Sequence, residues 1–262
     1  MTILQAFILG IVQGLTEFIP VSSSGHLVLF HEIFDGPGDL GFDVALHFGT
    51  LLALLVYFRK DLLRLLRRCA KPTSERKTVG LLLLATIPAA VAGYFLEDTA
   101  ETTFRSPVLV ASMLILVALL MLLAEHINSK RETKTVFEKI RLPQALAIGI
   151  AQACALVPGV SRSGGTITAG LLVGVDRVAA TRFAFLLAIP IIFGATLKTG
   201  LEPQALDSLQ GQTGVYITGI AAAFASGLFA IRFLLKYLAR HTLKVFAYYR
   251  IGLGLIVLLV LL

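Results

Sequence analysis

Six nearly uninterrupted apolar stretches run along the chain, at roughly 43–59, 79–96, 107–126, 179–198, 214–236 and 246–262. Each approaches or reaches the ~17–25 residues that an α-helix needs to cross a bilayer. Two further apolar stretches, about 4–34 and 143–176, are broken near their middles by Pro, Gly and Ser. Broken backbone is tolerated at membrane depth only where protein or a water-filled cavity covers it, so each is predicted to be a re-entrant helix-loop-helix hairpin. The pattern predicts an all-α polytopic membrane protein, a single membrane domain over residues 1–262 with six transmembrane helices plus two re-entrant hairpins.

The polar positions between these stretches alternate in charge. Segment 59–78 carries Arg59, Lys60, Arg64, Arg67, Arg68, Lys71, Arg76 and Lys77, whereas 97–106 carries Glu97, Asp98 and Glu101 against Arg105. Segment 127–142 is basic again, 199–213 holds Glu202 and Asp207 without a base, and Arg232, Lys236, Arg240, Lys244 and Arg250 surround the last turn. The positive-inside bias makes the basic connections cytoplasmic and the acidic ones external. Asp35, Asp39 and Asp43 put the connection after the first hairpin outside, and the C-terminus follows.

An internal repeat accompanies the alternation. Gly10-Ile11-Val12-Gln13 leads to Pro20, Ser22, Ser24 and Gly25, and Gly149-Ile150-Ala151-Gln152 leads to Pro158, Ser161, Ser163 and Gly164. A unit of one hairpin plus three spans crosses the membrane an odd number of times, so its second copy enters from the opposite face. The halves, about 1–126 and 143–262, are expected to be inverted repeats joined by a basic cytoplasmic loop.

Composition agrees: 56% hydrophobic and only 15% charged residues is more apolar surface than a soluble domain can cover. The net charge of +7 is spread over a few loops, which argues for membrane orientation and against nucleic acid. The first basic side chain is Arg59, so no cleavable leader is expected. Cys69 and Cys154 have no metal-ligand spacing and are read as structural.

Subtracting loop charges leaves Glu17, His26, His47 and Arg162 in apolar context. Such groups must face protein or water inside a bilayer. Ser22-Ser23-Ser24-Gly25-His26 follows Pro20 and precedes an apolar helix, an arrangement that presents hydroxyls and backbone N–H groups to an anion. Ser161-Arg162-Ser163-Gly164-Gly165-Thr166 repeats it and adds a guanidinium that grips phosphate. Gln13 and Glu17 share a helix face, and Glu17 can bind a divalent cation or orient His26 or a water. His26 is a candidate general acid or base, and one of Ser22, Ser23 and Ser24 a candidate nucleophile. His47, with His31, His126 and His241, is expected to be structural or interfacial.

The segments Gly14-Leu15-Thr16-Glu17-Phe18-Ile19-Pro20-Val21-Ser22-Ser23-Ser24-Gly25-His26 and Pro158-Gly159-Val160-Ser161-Arg162-Ser163-Gly164 resemble the two signature motifs of the bacterial undecaprenyl-diphosphate phosphatase family, the bacitracin-resistance type. The resemblance implies hydrolysis of undecaprenyl diphosphate to undecaprenyl phosphate and inorganic phosphate, recycling the lipid carrier of cell-wall synthesis. It also implies a homodimer in the bacterial inner membrane, a divalent cation (Mg2+ or Ca2+), and a site on the periplasmic side. The family's acidic motif falls on Gln13 and Glu17, its serine-histidine motif on Ser22, Ser23 and His26, and its arginine motif on Ser161, Arg162, Ser163 and Thr166. Glu17, Ser23, His26 and Arg162 are then catalytic, with Glu17 the metal ligand and His26 the proton-transfer partner of Ser23 or of a water in its place. Gln13, Ser22, Ser24, Gly25, Ser161, Ser163, Gly164 and Thr166 bind substrate. Some members have Glu where this chain has Gln13, so Glu17 serves with fewer charges. Another membrane phosphatase family also uses Ser-Gly-His and Ser-Arg, but it needs a histidine soon after Ser-Arg, and none occurs between Arg162 and His241. The main rival reading is a polyprenyl-phosphate flippase or secondary transporter, because carriers are commonly built as inverted repeats with broken helices.

Overall fold

The structure, a computed structural model, describes residues 1–33, 40–71, 73–102, 106–200 and 211–260. Asp35, Asp39, Arg105, Glu202 and Asp207, and the side chains of His31, Glu97, Asp98 and Glu101, lie outside what is described, and with them much of the acidic half of the charge alternation. Every described element is helical apart from an isolated bridge between Thr135 and Val175.

The two interrupted stretches each form two helices around a break. Helix α1 (Ile3–Phe18) opens on a capping box between Thr2 and Gln5 and ends where Ile19 turns extended ahead of Pro20. A residue before proline is driven out of the helical region, and proline itself has no N–H to continue the ladder. Helix α2 (Ser23–Ile33) then restarts the chain. In the second half, α7 (Leu142–Cys154) and α8 (Arg162–Leu172) flank the Pro158-Gly159 break in the same way.

Among the described residues, four helices are long and apolar enough to cross a membrane: Ser74–Phe95 within α5 (Ser74–Thr102), α6 (Pro107–Ser129), α9 (Arg177–Gly200) and α10 (Thr213–Leu238). A fifth candidate is the pair α3 (Leu40–Tyr57) and α4 (Arg59–Arg68), bent by 68° between Gly41–Tyr57 and Arg59–Arg68. The segment 59–78, expected to be a plain basic connection, thus carries a helix. It is amphipathic: Leu65 is buried while Arg64, Arg67 and Arg68 are exposed. The predicted span 246–262 corresponds to α11 (Lys244–Val260), with 17 residues inside the described region.

These helices turn apolar side chains outward as well as inward. Leu83, Ile87 and Val91 of α5, Leu116, Leu119 and Leu123 of α6, and Phe229 of α10 are all exposed. Such a surface is costly in water and ordinary in lipid. The chain is therefore a multi-pass membrane protein.

Helix α1 packs along α10, α7 along α5, α3 against α9, and α6 against α11. The repeated Gly-Ile-x-Gln motif acts at the first two of these contacts. A Cβ on Gly10 would lie 2.4 Å from the carbonyl oxygen of Gly219, and one on Gly149 would lie 2.2 Å from that of Ala85, so only glycine permits either approach.

Further charged groups inside this bundle correct the expectation that Glu17, His26, His47 and Arg162 are the ionisable groups of the interior. Glu125 of α6 is 1% exposed, accepts hydrogen bonds from the Arg177 guanidinium, and accepts another from the backbone N–H of Leu243. Arg250 of α11 is fully buried. All three sit near the ends of apolar stretches or beside basic turns, where a linear reading assigns them to loops. Glu125→Ala should cost about 3 kcal/mol by stranding Arg177, the low end of the range for broken buried pairs because Arg177 retains some solvent. The measurement is the melting temperature of the purified protein in detergent.

Candidate active site

Both helix restarts use a serine in the left-handed region. Ser22 has φ 77° and Ser161 φ 72°, a conformation that side chains other than glycine seldom adopt. Local hydrogen bonds hold each. Ser161 Oγ accepts from the Gly164 N–H at 3.1 Å, and Ser22 Oγ accepts from the Gly25 N–H at 3.4 Å. The hydroxyl two residues on pairs with each: Ser22 with Ser24 and Ser161 with Ser163, both at 3.3 Å. Ser163 Oγ also donates to the Ile19 carbonyl at 3.4 Å, so the two breaks touch.

Arg250 joins the breaks from behind. Its guanidinium donates to the carbonyls of Pro20 in the first break, Gly159 and Val160 in the second, and Met113 and Leu114 in α6. No carboxylate pairs with it among the described residues. Five carbonyl dipoles from three segments take the place of a counter-ion.

In front of the breaks, Glu17 is the centre of a polar cluster. Ser23 Oγ, on the first residue of α2, donates to Glu17 Oε2 at 2.6 Å. Gln13 Nε2, one turn back on α1, donates to the same oxygen at 3.1 Å. Arg162 Nη1, at the start of α8, lies 3.5 Å from Glu17 Oε1. Two polar atoms here are buried without a hydrogen-bond partner among the described residues, Arg162 Nη1 and Gln13 Oε1. Gln13 Oε1 and an Arg162 Nη1 held only by the longer ion pair to Glu17 therefore keep hydrogen-bonding capacity for water or a bound group. A narrow cleft lined by Glu17, Arg162, Ser163 and Thr166, and walled by Phe18, Ala184, Phe185 and Ala188, opens beside them.

The structure thus brings Gln13, Glu17, Ser23, Arg162 and Ser163 together. It does not give His26 to Ser23. The His26 ring lies against Tyr249, with Nε2 2.7 Å from the phenol oxygen and Nδ1 2.8 Å from the Ser22 carbonyl. Both ring nitrogens are taken, and Ser23 is paired with Glu17 instead. Thr166 lines the cleft, but its hydroxyl donates to the carbonyl of Arg162 in its own helix at 2.6 Å. The residue that sequence reasoning set aside is His47. Its Nδ1 lies 2.8 Å from Gln13 Nε2 and 3.5 Å from Glu17 Oε2. The available signal was a histidine inside an apolar helix, and it could not say which face of α3 meets α1. Tyr249 and Arg250 were missed for the same reason.

For a hard cation, the oxygen donors at hand are the Glu17 carboxylate and the orphaned Gln13 Oε1. No group of three His, Cys, Asp or Glu comes together among the described residues. Two protein oxygens suit Mg2+, which commonly takes one or two carboxylates and completes its shell with water and substrate phosphate.

Fold and site define a class: a polytopic helical membrane protein with a hydroxyl, a carboxylate and a guanidinium gathered at two converging helix starts. Comparison narrows the class. The family described as bacitracin resistance protein BacA matches residues 6–256, and the chain belongs to it. Proteins named undecaprenyl-diphosphatase are similar over nearly their whole lengths. That of Gemmatimonas aurantiaca is 46% identical over 98% of this chain and 97% of its own. That of Rubrobacter xylanophilus is 46% identical over 97% of each, and that of Desulforudis audaxviator is 45% identical over 98% of this chain and 97% of its own.

Arg250→Met should unmake all five carbonyl contacts at a cost of about 1–3 kcal/mol for each carbonyl left dry. Arg250→Lys keeps the charge and reaches fewer acceptors, so its melting temperature in detergent should fall between those of Arg250→Met and the parent.

Proposed function

We propose that the protein hydrolyses undecaprenyl diphosphate to undecaprenyl phosphate and inorganic phosphate, recycling the lipid carrier for cell-wall synthesis. The observation that carries this reading is the 2.6 Å hydrogen bond from Ser23 to Glu17, beside an Arg162 whose Nη1 has no hydrogen-bond partner. A hydroxyl paired with a carboxylate is an activated nucleophile, and a guanidinium at a helix start is a phosphate clamp.

The terminal phosphate lies at Arg162 and the N–H groups opening α8, with the Ser22, Ser24, Ser161 and Ser163 hydroxyls shaping the surrounding breaks. Ser23 Oγ attacks the terminal phosphorus as Glu17 takes its proton. The bond from phosphorus to the bridging oxygen breaks, and the electron pair stays on that oxygen in the departing polyprenyl monophosphate. Glu17 releases its proton to that product. Ionised again, it takes a proton from the water whose oxygen bonds to the phosphorus, and returns that proton to Ser23 Oγ as the Oγ–P bond breaks with its electron pair on Oγ, leaving inorganic phosphate and the starting serine. Arg162 faces the oxygens on which charge accumulates throughout. A divalent cation, Mg2+ or Ca2+, would be held by Glu17 and Gln13 Oε1 and would supply neutralisation of diphosphate charge. His26 keeps a supporting part: fixed between Ser22 and Tyr249, it orients the first break.

In this reading the chain is an inverted repeat, with α1–α2 and α7–α8 as re-entrant hairpins and six spanning helices around them. The exchanged packing of α1 on α10 and α7 on α5, and the matched left-handed serines, support it. The protein acts as a homodimer in the bacterial inner membrane with its site facing the periplasm, and its substrate arrives from the surrounding lipid.

Purified protein in detergent should release phosphate from a polyprenyl diphosphate, and chelator should slow it. Hydrolysis needs no sealed membrane, whereas transport does. Arg162→Ala should reduce kcat on the order of 100-fold or more without preventing membrane insertion. Acid-quenched protein should carry phosphate on Ser23. Full turnover by Arg162→Ala, or by Ser23→Ala, would remove the assignment.

A further inference from the structure

We propose that His47 is a catalytic residue of this site, a neutral imidazole whose Nε2–H donates to the bridging oxygen of the diphosphate as it becomes the leaving oxygen. The inference rests on the phosphatase reading above and adds a residue and an orientation to it.

The tautomer follows from one contact. Gln13 Nε2 is an amide nitrogen that can only donate, and it lies 2.8 Å from His47 Nδ1. Nδ1 therefore accepts, and the proton of the neutral ring sits on Nε2. The same amide nitrogen donates to Glu17 Oε2, which holds its orientation: a flipped amide would set its oxygen 3.1 Å from that carboxylate. Nε2 itself has no hydrogen-bond partner among the described residues. Within the cluster the His47 side chain is 26% exposed against 4% for Glu17, so the ring is on the open side of the carboxylate.

His26 cannot take this part. Its Nδ1–H is spent on the Ser22 carbonyl and its Nε2 on Tyr249. His47, whose Nδ1 meets Gln13 beside Glu17, is the histidine of this cluster with a ring N–H left to donate.

The surroundings of His47 say which end of the substrate it meets. Phe48 and Leu51, the next residue and one turn on along α3, form an apolar groove with Phe193, Thr196 and Leu197 of α9. Arg162, on the far oxygen of Glu17, marks the opposite side of the cluster. A diphosphate laid across Glu17 thus has its terminal phosphate at Arg162 and its lipid-bearing phosphate at His47, with the polyprenyl chain entering the groove. When the P–O bond breaks, the electron pair gathers on the bridging oxygen. A donor at His47 stabilises that charge without transferring a proton, so the balance of the reaction is unchanged.

The test compares His47→Gln, His47→Asn and His47→Phe in detergent, using phosphate release from a polyprenyl diphosphate, with elution and thermal melting as controls for folding. The Gln amide can place a donor near the position of Nε2, whereas the shorter Asn amide reaches only that of Nδ1. His47→Gln should keep kcat within about fivefold of the parent, while His47→Asn and His47→Phe should lose about 10- to 100-fold in kcat while remaining folded. Parental kcat in folded His47→Phe, equal kcat in the Gln and Asn variants, or loss of folding in all three would overturn the proposal. If only the Asn and Phe variants unfold, folded His47→Gln decides it: activity near the parent's upholds the donor, and a loss as large as that expected of Phe overturns it. Absence of hydrolysis by the parent protein would instead sink the phosphatase reading itself.

Discussion

Arg250 is a charge enclosed by backbone. Removing a guanidinium from water without a carboxylate partner is among the most expensive things a folded chain can do, and here the compensation comes from carbonyl oxygens of α6 and of both chain breaks. Those carbonyls are available because the helices stop. Pro20, Gly159 and Val160 have backbone oxygens that no helical ladder consumes, and the guanidinium satisfies them. The cation and the breaks are each other's solution. A continuous helix at either place would leave Arg250 short of acceptors, and an apolar residue at 250 would leave the broken backbone dry inside a membrane protein.

The site inherits its geometry from this arrangement. With both breaks tied to one guanidinium, the first residues of α2 and α8 face a common space, and Ser23 and Arg162 occupy them. The left-handed serines serve the same end: each turns the chain sharply enough for the next residue to begin a helix, and each hydroxyl holds the new N-terminus. Arg250 also lies close behind the start of α8, since a Cβ on Gly164 would sit 2.9 Å from its Nη1. Its positive charge and the helix ends favour an anion in front of them together. Glu17, the negative member of the cluster, is held there by Ser23, Gln13 and Arg162.

Much of the fold was legible in the chain because it depends on local quantities. Apolar run lengths marked the long helices, and Pro20 and Pro158 marked the two breaks, since proline ends a helix whatever surrounds it. The bend and short amphipathic helix after α3 were not legible, because a basic run reads alike as a loop or as a helix lying on a surface. Within the site, Glu17, Ser23 and Arg162 stood out as polar exceptions to apolar context. His26 stood out equally, yet its ring faces Tyr249, and His47 and Arg250 looked dispensable.

The sequence by itself determined that the chain is helical, apolar enough for a membrane, and interrupted at two related places rich in hydroxyls and backbone donors. Only the tertiary structure decided which polar group meets which: Gln13 with His47 across 34 residues, Ser163 with Ile19 across 144, and Arg250 with Pro20 across 230. Hydropathy and proline act on their immediate neighbours and so can be read along the chain. The partner of a buried side chain depends on which faces of distant helices pack together, and that is settled by the fit of the whole bundle.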